Sequence, residues 1–127
     1  MSPRSKGLTV LVAEDDWLLR QEIVEGLQSI GWTVLEAATG AGALTLLRQA
    51  NTIRLLVTDI QLADAVTGWD VAEAFRASEP KIPVIYTSGN PSNDHRRFAE
   101  SVFLSKPIAM TDLTLACRNL VADSTSR

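Results

Sequence analysis

The stretch Leu55-Leu56-Val57-Thr58-Asp59 is a run of apolar and β-branched residues that ends in a single carboxylate. A short apolar run bounded by polar segments is typical of a strand buried on both faces of a parallel sheet. Because a charged side chain is costly inside a core, we expect Asp59 to lie where the strand emerges, at its carboxyl end. In open α/β sheets this is the edge at which ligands bind. The stretch therefore predicts both a parallel sheet and the edge that carries a site.

Three further apolar runs lead into side chains that carry chemistry. Glu14 and Asp15 follow the first run, Thr87 ends the fourth, and Lys106 follows the fifth. Any one of these residues alone is ordinarily a polar residue that opens a turn. Parallel strands bring their carboxyl ends to one edge of a sheet. Together with Asp59, the four strand ends therefore predict that acids, a hydroxyl and an ammonium group meet in one site.

Apolar runs alternate with segments of helical periodicity along the chain. The predicted strands cover 8–13, 32–37, 54–59, 84–87 and 102–105. The predicted helices cover 17–30, 40–50, 69–78, 92–100 and 110–121. We expect Asp16 and Thr39 to cap the first two helices. The alternation predicts an α/β fold, a single doubly wound domain with a parallel sheet. We expect the order 2-1-3-4-5, in which the acids after the first strand meet Asp59 at a switch point.

Length and composition indicate one globular domain, which we place at 8–121, with flexible tails at 1–7 and 122–127. Of the 127 residues 46% are hydrophobic and 21% are charged. The net charge of −3 argues against a nucleic-acid partner, and no apolar stretch approaches the roughly 18 residues of a membrane span. The single cysteine, Cys117, falls on an apolar helical stripe and is expected to fill the core. A lone cysteine fits a reducing, cytoplasmic location.

The side chains at the strand ends suit a magnesium ion and a phosphoryl group. Clustered carboxylates repel one another unless a cation lies between them. Oxygen ligands without a neighbouring cysteine or histidine favour Mg²⁺, which binds best to one or two carboxylates together with phosphate oxygens. In such a site Asp59 can act as the nucleophile, Lys106 can neutralise charge, and Thr87 can donate a hydrogen bond to a phosphoryl oxygen.

Four motifs resemble those of response-regulator receiver domains, the phosphoacceptor modules of two-component signalling. They are Val12-Ala13-Glu14-Asp15-Asp16, Thr58-Asp59-Ile60-Gln61-Leu62, Tyr86-Thr87-Ser88-Gly89 and Phe103-Leu104-Ser105-Lys106-Pro107. In this order and spacing they extend the resemblance over residues 8–120. It implies a flavodoxin-like (βα)5 domain that takes a phosphoryl group on Asp59 from a histidine kinase or a histidine phosphotransfer protein.

The resemblance also implies a magnesium site. Asp15, Asp59 and the backbone carbonyl of Gln61 would hold Mg²⁺, and Glu14 would act through water. Glu14 departs from the family, which often has Asp at this position, and its side chain reaches further by one methylene.

For signalling, the resemblance implies a switch in which Thr87 moves inward and the aromatic Phe103 follows. The alternative for Phe103 is an aromatic residue buried only for packing. A cis Lys106–Pro107 peptide is implied as well. The output would leave through the fourth helix, the fifth strand and the last helix, toward a downstream protein target or a second copy in a homodimer. Such a domain catalyses only its own phosphorylation and dephosphorylation.

The loop after Asp59 departs from the family pattern in two ways. Ala63 stands where a proline is common, and Gly68 follows Asp59 by nine residues rather than the usual eight, as in some receivers that resemble those of hybrid kinases. These departures concern the shape of the loop and the choice of partner. The phosphorylation chemistry is unaffected by them.

Several functions compete with a stand-alone receiver. The same module could belong to a larger hybrid kinase. An aspartyl-phosphate enzyme such as a phosphatase or dehalogenase is disfavoured, because its second acid would stand where this chain has Gln61. A flavodoxin is disfavoured because no hydroxyl- and glycine-rich phosphate loop follows the first strand, and a pseudo-receiver because all the site residues are present. His95, the only histidine, is expected to be a solvated surface residue.

Overall fold

Five parallel strands form one sheet with helices on both of its faces. The structure, a computed structural model, describes residues 8–50, 52–89 and 101–125. The strands are β1 (Thr9–Ala13), β2 (Thr33–Ala37), β3 (Ile53–Asp59), β4 (Val84–Ser88) and β5 (Ser101–Ser105). The helices in the described part are α1 (Trp17–Ser29), α2 (Gly40–Gln49), α3 (Gly68–Ser78) and α4 (Met110–Thr125). The sheet order β2-β1-β3-β4-β5 confirms the predicted doubly wound α/β fold.

Alternate residues of the central strands enter two separate apolar layers. On β1, Val10 and Val12 pack in the layer that contains side chains of α1 and α4, whereas Leu11 and Ala13 pack in the layer that contains those of α2 and α3. Both faces of the strand are therefore buried, as a continuous apolar run predicts. Cys117 lies in the first of these layers, where burial raises the pKa of its thiol to about 12, so it fills the core as expected.

The strand register aligns the carboxyl ends of the four strands that carry polar residues. Ala13 of β1 lies opposite Thr58 of β3, and Asp59 lies opposite Thr87 of β4. On the far side of β4, Ser88 lies opposite Ser105, the last residue of β5. The residues that follow these strands consequently leave the sheet at one edge.

Side-chain caps define where three of the helices begin. Asp16 accepts hydrogen bonds from the first turn of α1, and Thr39 does so for α2, both as predicted. At α3 the cap is Thr67, which forms a reciprocal capping box with Asp70. The last helix, α4, continues to Thr125, four residues beyond its predicted end. The predicted helix at 92–100 and His95 lie outside the described residues, and the domain limits of 8–121 stay a prediction.

None of the described helices is long and apolar enough to cross a membrane.

The β3–α3 loop, residues 60–67, returns closely to the end of β3. Gly68 N donates a hydrogen bond to Ile60 O at 2.8 Å. A methyl group on Gly68 would overlap the backbone carbonyl of Asp59. Only glycine permits this approach, so the start of α3 is packed directly against the residue that ends β3.

We expect Gly68→Ala to destabilise the fold by about 2–3 kcal/mol, because the added methyl group meets backbone rather than a side chain that could move. Urea unfolding measures the loss. Gly26→Ala in α1 is the control, since its methyl group would lie at an ordinary 3.6 Å from Met110 Sδ. The control should be neutral or stabilising by up to ~1 kcal/mol. Equal stability of Gly68→Ala and the wild type would contradict the close approach.

Candidate functional site

Three carboxylates meet at the ends of β1 and β3. Glu14, Asp15 and Asp59 each offer an oxygen atom, and these atoms all lie within 4.8 Å of one another. Glu14 is 1% exposed and Asp59 is 7% exposed, whereas Asp15 is exposed to solvent. The predicted acids therefore do come together, two of them buried and one open to the solvent.

Lys106 joins the two buried carboxylates. Its Nζ donates a hydrogen bond to Asp59 Oδ2 at 2.8 Å and lies 3.1 Å from Glu14 Oε1. The Lys106 backbone N–H donates to Ser88 O at 2.8 Å, and the Lys106–Pro107 peptide is cis, as the resemblance implies. Burial by itself lowers the pKa of Lys106, but the contacts with Asp59 and Glu14 outweigh burial and raise that pKa. The lysine is consequently a fixed positive charge at neutral pH.

The site perturbs the ionisation of Glu14. Burial raises its pKa from the ordinary value of 4.5 to about 7, and the nearby charge of Asp59 adds to the rise. The Asp16 N–H, which donates to Glu14 Oε2 at 3.0 Å, and Lys106 offset part of this effect. Near neutral pH a proton and a cation therefore compete for Glu14.

Thr87 lies beside Asp59 on the neighbouring strand and is buried. Its Oγ1 has no hydrogen-bond partner among the residues that the structure describes. A buried hydroxyl without a partner is costly, so the position favours a ligand atom that Thr87 can reach. This hydroxyl is the one for which the sequence predicts a hydrogen bond to a phosphoryl oxygen.

A cavity of about 410 Å³ opens beside Asp59. Its lining consists of Asp15, Asp59, Gln61, Leu62, Ser88, Gly89 and Lys106. The Gln61 N–H donates to Asp59 Oδ1 at 3.3 Å, so each carboxylate oxygen of Asp59 has a hydrogen-bond donor. The Asp59 carboxylate, fixed by these hydrogen bonds, therefore faces the cavity next to the ammonium group of Lys106. The cavity is large enough for a small anionic group.

Phe103 belongs to an aromatic cluster with two other rings. Its ring centroid is 6.0 Å from that of Tyr86 and 6.1 Å from that of Trp69. Trp69 and Tyr86 are closer still, at 4.3 Å. Because Tyr86 precedes Thr87 in β4, this cluster connects the strand end at the site with α3 and β5.

Sequence reasoning missed one residue that fixes the acidic loop. Arg20 of α1 donates from Nη1 to the backbone carbonyl of Glu14 at 2.8 Å and from Nε to Glu36 Oε1 of β2 at 3.0 Å. The available signal was an arginine about one helical turn after the acids. Its partner on β2 could not be read from spacing, because that contact depends on the sheet order.

The donor set fits a magnesium ion. It is made entirely of oxygen atoms, and the described part of the chain places no cysteine or histidine in the cluster. A divalent cation would also offset the repulsion that contributes to the raised pKa of Glu14. Asp15, which is exposed toward the cavity, could bind such an ion without first losing a buried partner.

The family comparison agrees with the observed fold. The model of the response regulator receiver domain matches residues 10–118. The chain therefore belongs to the response regulator receiver domain family of two-component signalling. Members of this family are signalling domains rather than classical enzymes.

Individual relatives differ in how much of their length the chain covers. The response regulator receiver protein CpdR of Brucella abortus is 32% identical over 82% of this chain and 88% of its own length. The sensor kinase CckA of the same species is 30% identical over 92% of this chain but 13% of its own length. A receiver protein crystal structure from Sinorhizobium medicae has a TM-score of 0.88 and 28% identity, covering 92% of this chain and 96% of that one. The chain spans about half the length of the transcriptional regulatory proteins that it also matches.

The raised pKa of Glu14 predicts a specific pH dependence of stability in the absence of Mg²⁺. Between about pH 4.5 and pH 7 the folded state keeps a proton that the unfolded state has lost, so stability falls as pH rises. Glu14→Gln removes this loss. The free energy of unfolding of the variant, relative to the wild type, should therefore increase across the window by on the order of 2 kcal/mol. Urea unfolding at several pH values measures it.

Glu25→Gln is the matched control, because it removes the same charge from an exposed position on α1. Its difference from the wild type should stay flat over the same range. A flat difference for Glu14→Gln as well would show that burial does not perturb this carboxyl group.

Proposed function

We propose that this receiver domain accepts a phosphoryl group on Asp59 from a phosphohistidine of a histidine kinase or histidine phosphotransfer protein, in a reaction that depends on Mg²⁺. The observation that carries the proposal is the contact between Lys106 Nζ and Asp59 Oδ2 at 2.8 Å, beside the 410 Å³ cavity. A carboxylate held against a cation at an open edge is suited to attack an electrophilic phosphorus atom.

In the proposed step an Asp59 oxygen forms a bond to phosphorus while the bond from phosphorus to the histidine nitrogen breaks. The imidazole leaves with the electron pair of that bond. The product is an acyl phosphate on Asp59. Phosphoryl transfer requires positioning and charge stabilisation more than covalent chemistry from the protein. The hydrogen bonds to both oxygens of Asp59 supply the positioning.

Two side chains would stabilise the charge of the transferred group. Lys106 is charged and already lies between two carboxylates. Its ammonium group can therefore form an ion pair with a phosphoryl oxygen when that group is transferred. The Thr87 hydroxyl, buried without a partner among the described residues, can donate to a second oxygen. Both groups serve the transition state as preorganised positive or donating groups.

Mg²⁺ would be held by Asp15, Asp59 and the Gln61 carbonyl, with Glu14 acting through water. When bound, it supplies neutralisation of the phosphoryl charge and of the carboxylate cluster. The support in this chain is the all-oxygen cluster within 4.8 Å. Glu14 would not bind the ion directly, because its buried oxygens already face Lys106 and the Asp16 N–H.

We propose that signalling proceeds from Thr87 to Phe103 and then to a surface made by β5, α4 and the segment that precedes β5. Phe103 pairs with Tyr86 in the register of β4 and β5, next to Thr87. An inward movement of Thr87 toward a phosphoryl group would loosen the packing that this aromatic cluster now has. Only a contact that differs between the two states can convert phosphorylation into a population shift.

The partners follow from the same proposal. A kinase or phosphotransfer protein donates the phosphoryl group, and a downstream protein, or a second copy of this chain, reads the changed surface. A receiver within a larger hybrid kinase is the second candidate, and the match to part of the sensor kinase CckA favours it. A cytoplasmic location without a nucleic-acid partner completes the proposal.

Asp59→Asn should abolish phosphorylation. Incubation of the wild type with a small phosphodonor and Mg²⁺ should add one phosphoryl group by intact mass, and a chelator should prevent it. Asp112→Asn, an exposed acid on α4, is the matched control and should be phosphorylated like the wild type. An equal mass gain in Asp59→Asn would assign the phosphoryl group to another residue.

Thr87→Ala should still accept phosphate but lose more than half of the conformational response. A beryllofluoride mimic of the phosphoryl group should change hydrogen exchange in β5 more than in α1 in the wild type, because Phe103 lies on the proposed route. Thr45→Ala, on the exposed side of α2, should respond like the wild type. A response confined to α1 would move the output surface to that helix.

A further inference from the structure

The first turn of α2 is capped twice, once from within and once from another part of the chain. Asp64 of the β3–α3 loop accepts hydrogen bonds from Gly40 N to Oδ1 and from Ala41 N to Oδ2, both at 2.9 Å. Thr39, the N-cap residue, accepts from Gly42 N at 2.9 Å. A helix leaves its first N–H groups without partners inside the helix, so both carboxylate oxygens of Asp64 satisfy donors that would otherwise face solvent.

The loop is also packed against the helix at this point. A methyl group on Gly40 would overlap the backbone and side chain of Val66. The hydrogen bonds from the Ala41 and Gly40 backbone amides hold the pKa of Asp64 below its ordinary range, so the Asp64 carboxylate stays ionised at neutral pH. Two hydrogen bonds to a negative group at a helix N-terminus, together with close backbone packing, make a defined attachment. It is a contact between elements 24 residues apart in sequence.

The other end of the same loop forms one wall of the candidate site. Gln61 N donates to Asp59 Oδ1, and Gln61 and Leu62 line the cavity. Only Ala63 separates Leu62 from Asp64. The helix to which Asp64 is attached is fixed in turn, because Ala43 of α2 is buried in the core.

We propose that Asp64 is a positioning residue for the phosphorylation site. By attaching the β3–α3 loop to α2, it holds the Gln61 backbone where that backbone can contact Asp59 and a bound Mg²⁺. This rests on the proposed function of the site. Because coupling is reciprocal, a cation or phosphoryl mimic at the site must also stabilise the first turn of α2.

The comparison of Asp64→Ala with Thr39→Ala tests this role. Both variants remove caps from the same helix turn, so both lower stability, but only Asp64 connects that turn to the site. Isothermal titration with Mg²⁺ should give a dissociation constant at least roughly fivefold weaker in Asp64→Ala and an unchanged one in Thr39→Ala. Asp64→Asn keeps one acceptor oxygen, so its dissociation constant for Mg²⁺ should lie between those of the wild type and Asp64→Ala. It replaces the alanine variant in the test if that variant does not fold.

Hydrogen exchange distinguishes a positioning role of Asp64 from a role in capping α2 alone. In the wild type, Mg²⁺ with beryllofluoride should slow exchange of the Gly40 and Ala41 amides, and this slowing should shrink in Asp64→Asn and disappear in Asp64→Ala. Equal Mg²⁺ affinity in Asp64→Ala, Thr39→Ala and the wild type would overturn the positioning role while leaving the proposed function intact. Absence of Mg²⁺ binding in the wild type would overturn the metal site of the proposed function and this inference with it.

Discussion

The two ion pairs of Lys106 are the interaction on which the arrangement of the site depends. Two buried carboxylates, Glu14 and Asp59, would repel each other and lose hydration without compensation. Lys106 Nζ lies within 3.1 Å of one and 2.8 Å of the other, so a single ammonium group offsets both. Removal of the lysine would leave uncompensated buried charge, which is more damaging than loss of the contact itself. The site is therefore one electrostatic unit and cannot be divided into independent residues.

The parallel sheet makes this unit possible, because it brings together residues that are far apart in the chain. β3 lies between β1 and β4, so the acids after β1 approach Asp59 from one side. β5 lies beyond β4, and Lys106 reaches back across the end of β4 after its backbone is fixed by Ser88 O. The flanking helices bury both faces of the central strands, and the polar residues of the site lie at the carboxyl edge. Because packing occupies the faces, this edge is where the acidic cluster remains open to solvent.

Much of this could be predicted from the sequence because the signals were local. Apolar runs predicted the strands, and the residue after each run predicted which side chains meet once the strands lie in the order 2-1-3-4-5. The exceptions are contacts set by tertiary packing. Neither the ion pair of Arg20 with Glu36 nor the hydrogen bonds from α2 to Asp64 have a spacing signature, since each contact joins elements that only the fold makes neighbours. The end of α4 was missed for another reason: the apolar stripe ends before the helix does.

The contacts of Asp59 in this state constrain how the proposed reaction can begin. Lys106 donates to one of its oxygens and the Gln61 N–H to the other, so an attacking oxygen must give up part of its hydrogen bonding. The Gln61 contact is the longer and weaker of the two, at 3.3 Å, and it belongs to the loop held by Asp64. The Gln61 carbonyl of the same loop would, in the proposed site, hold Mg²⁺ together with Asp15 and Asp59, and the cation would reduce the repulsion between Asp59 and Glu14. In the proposed reaction, loop position and metal binding would therefore depend on each other.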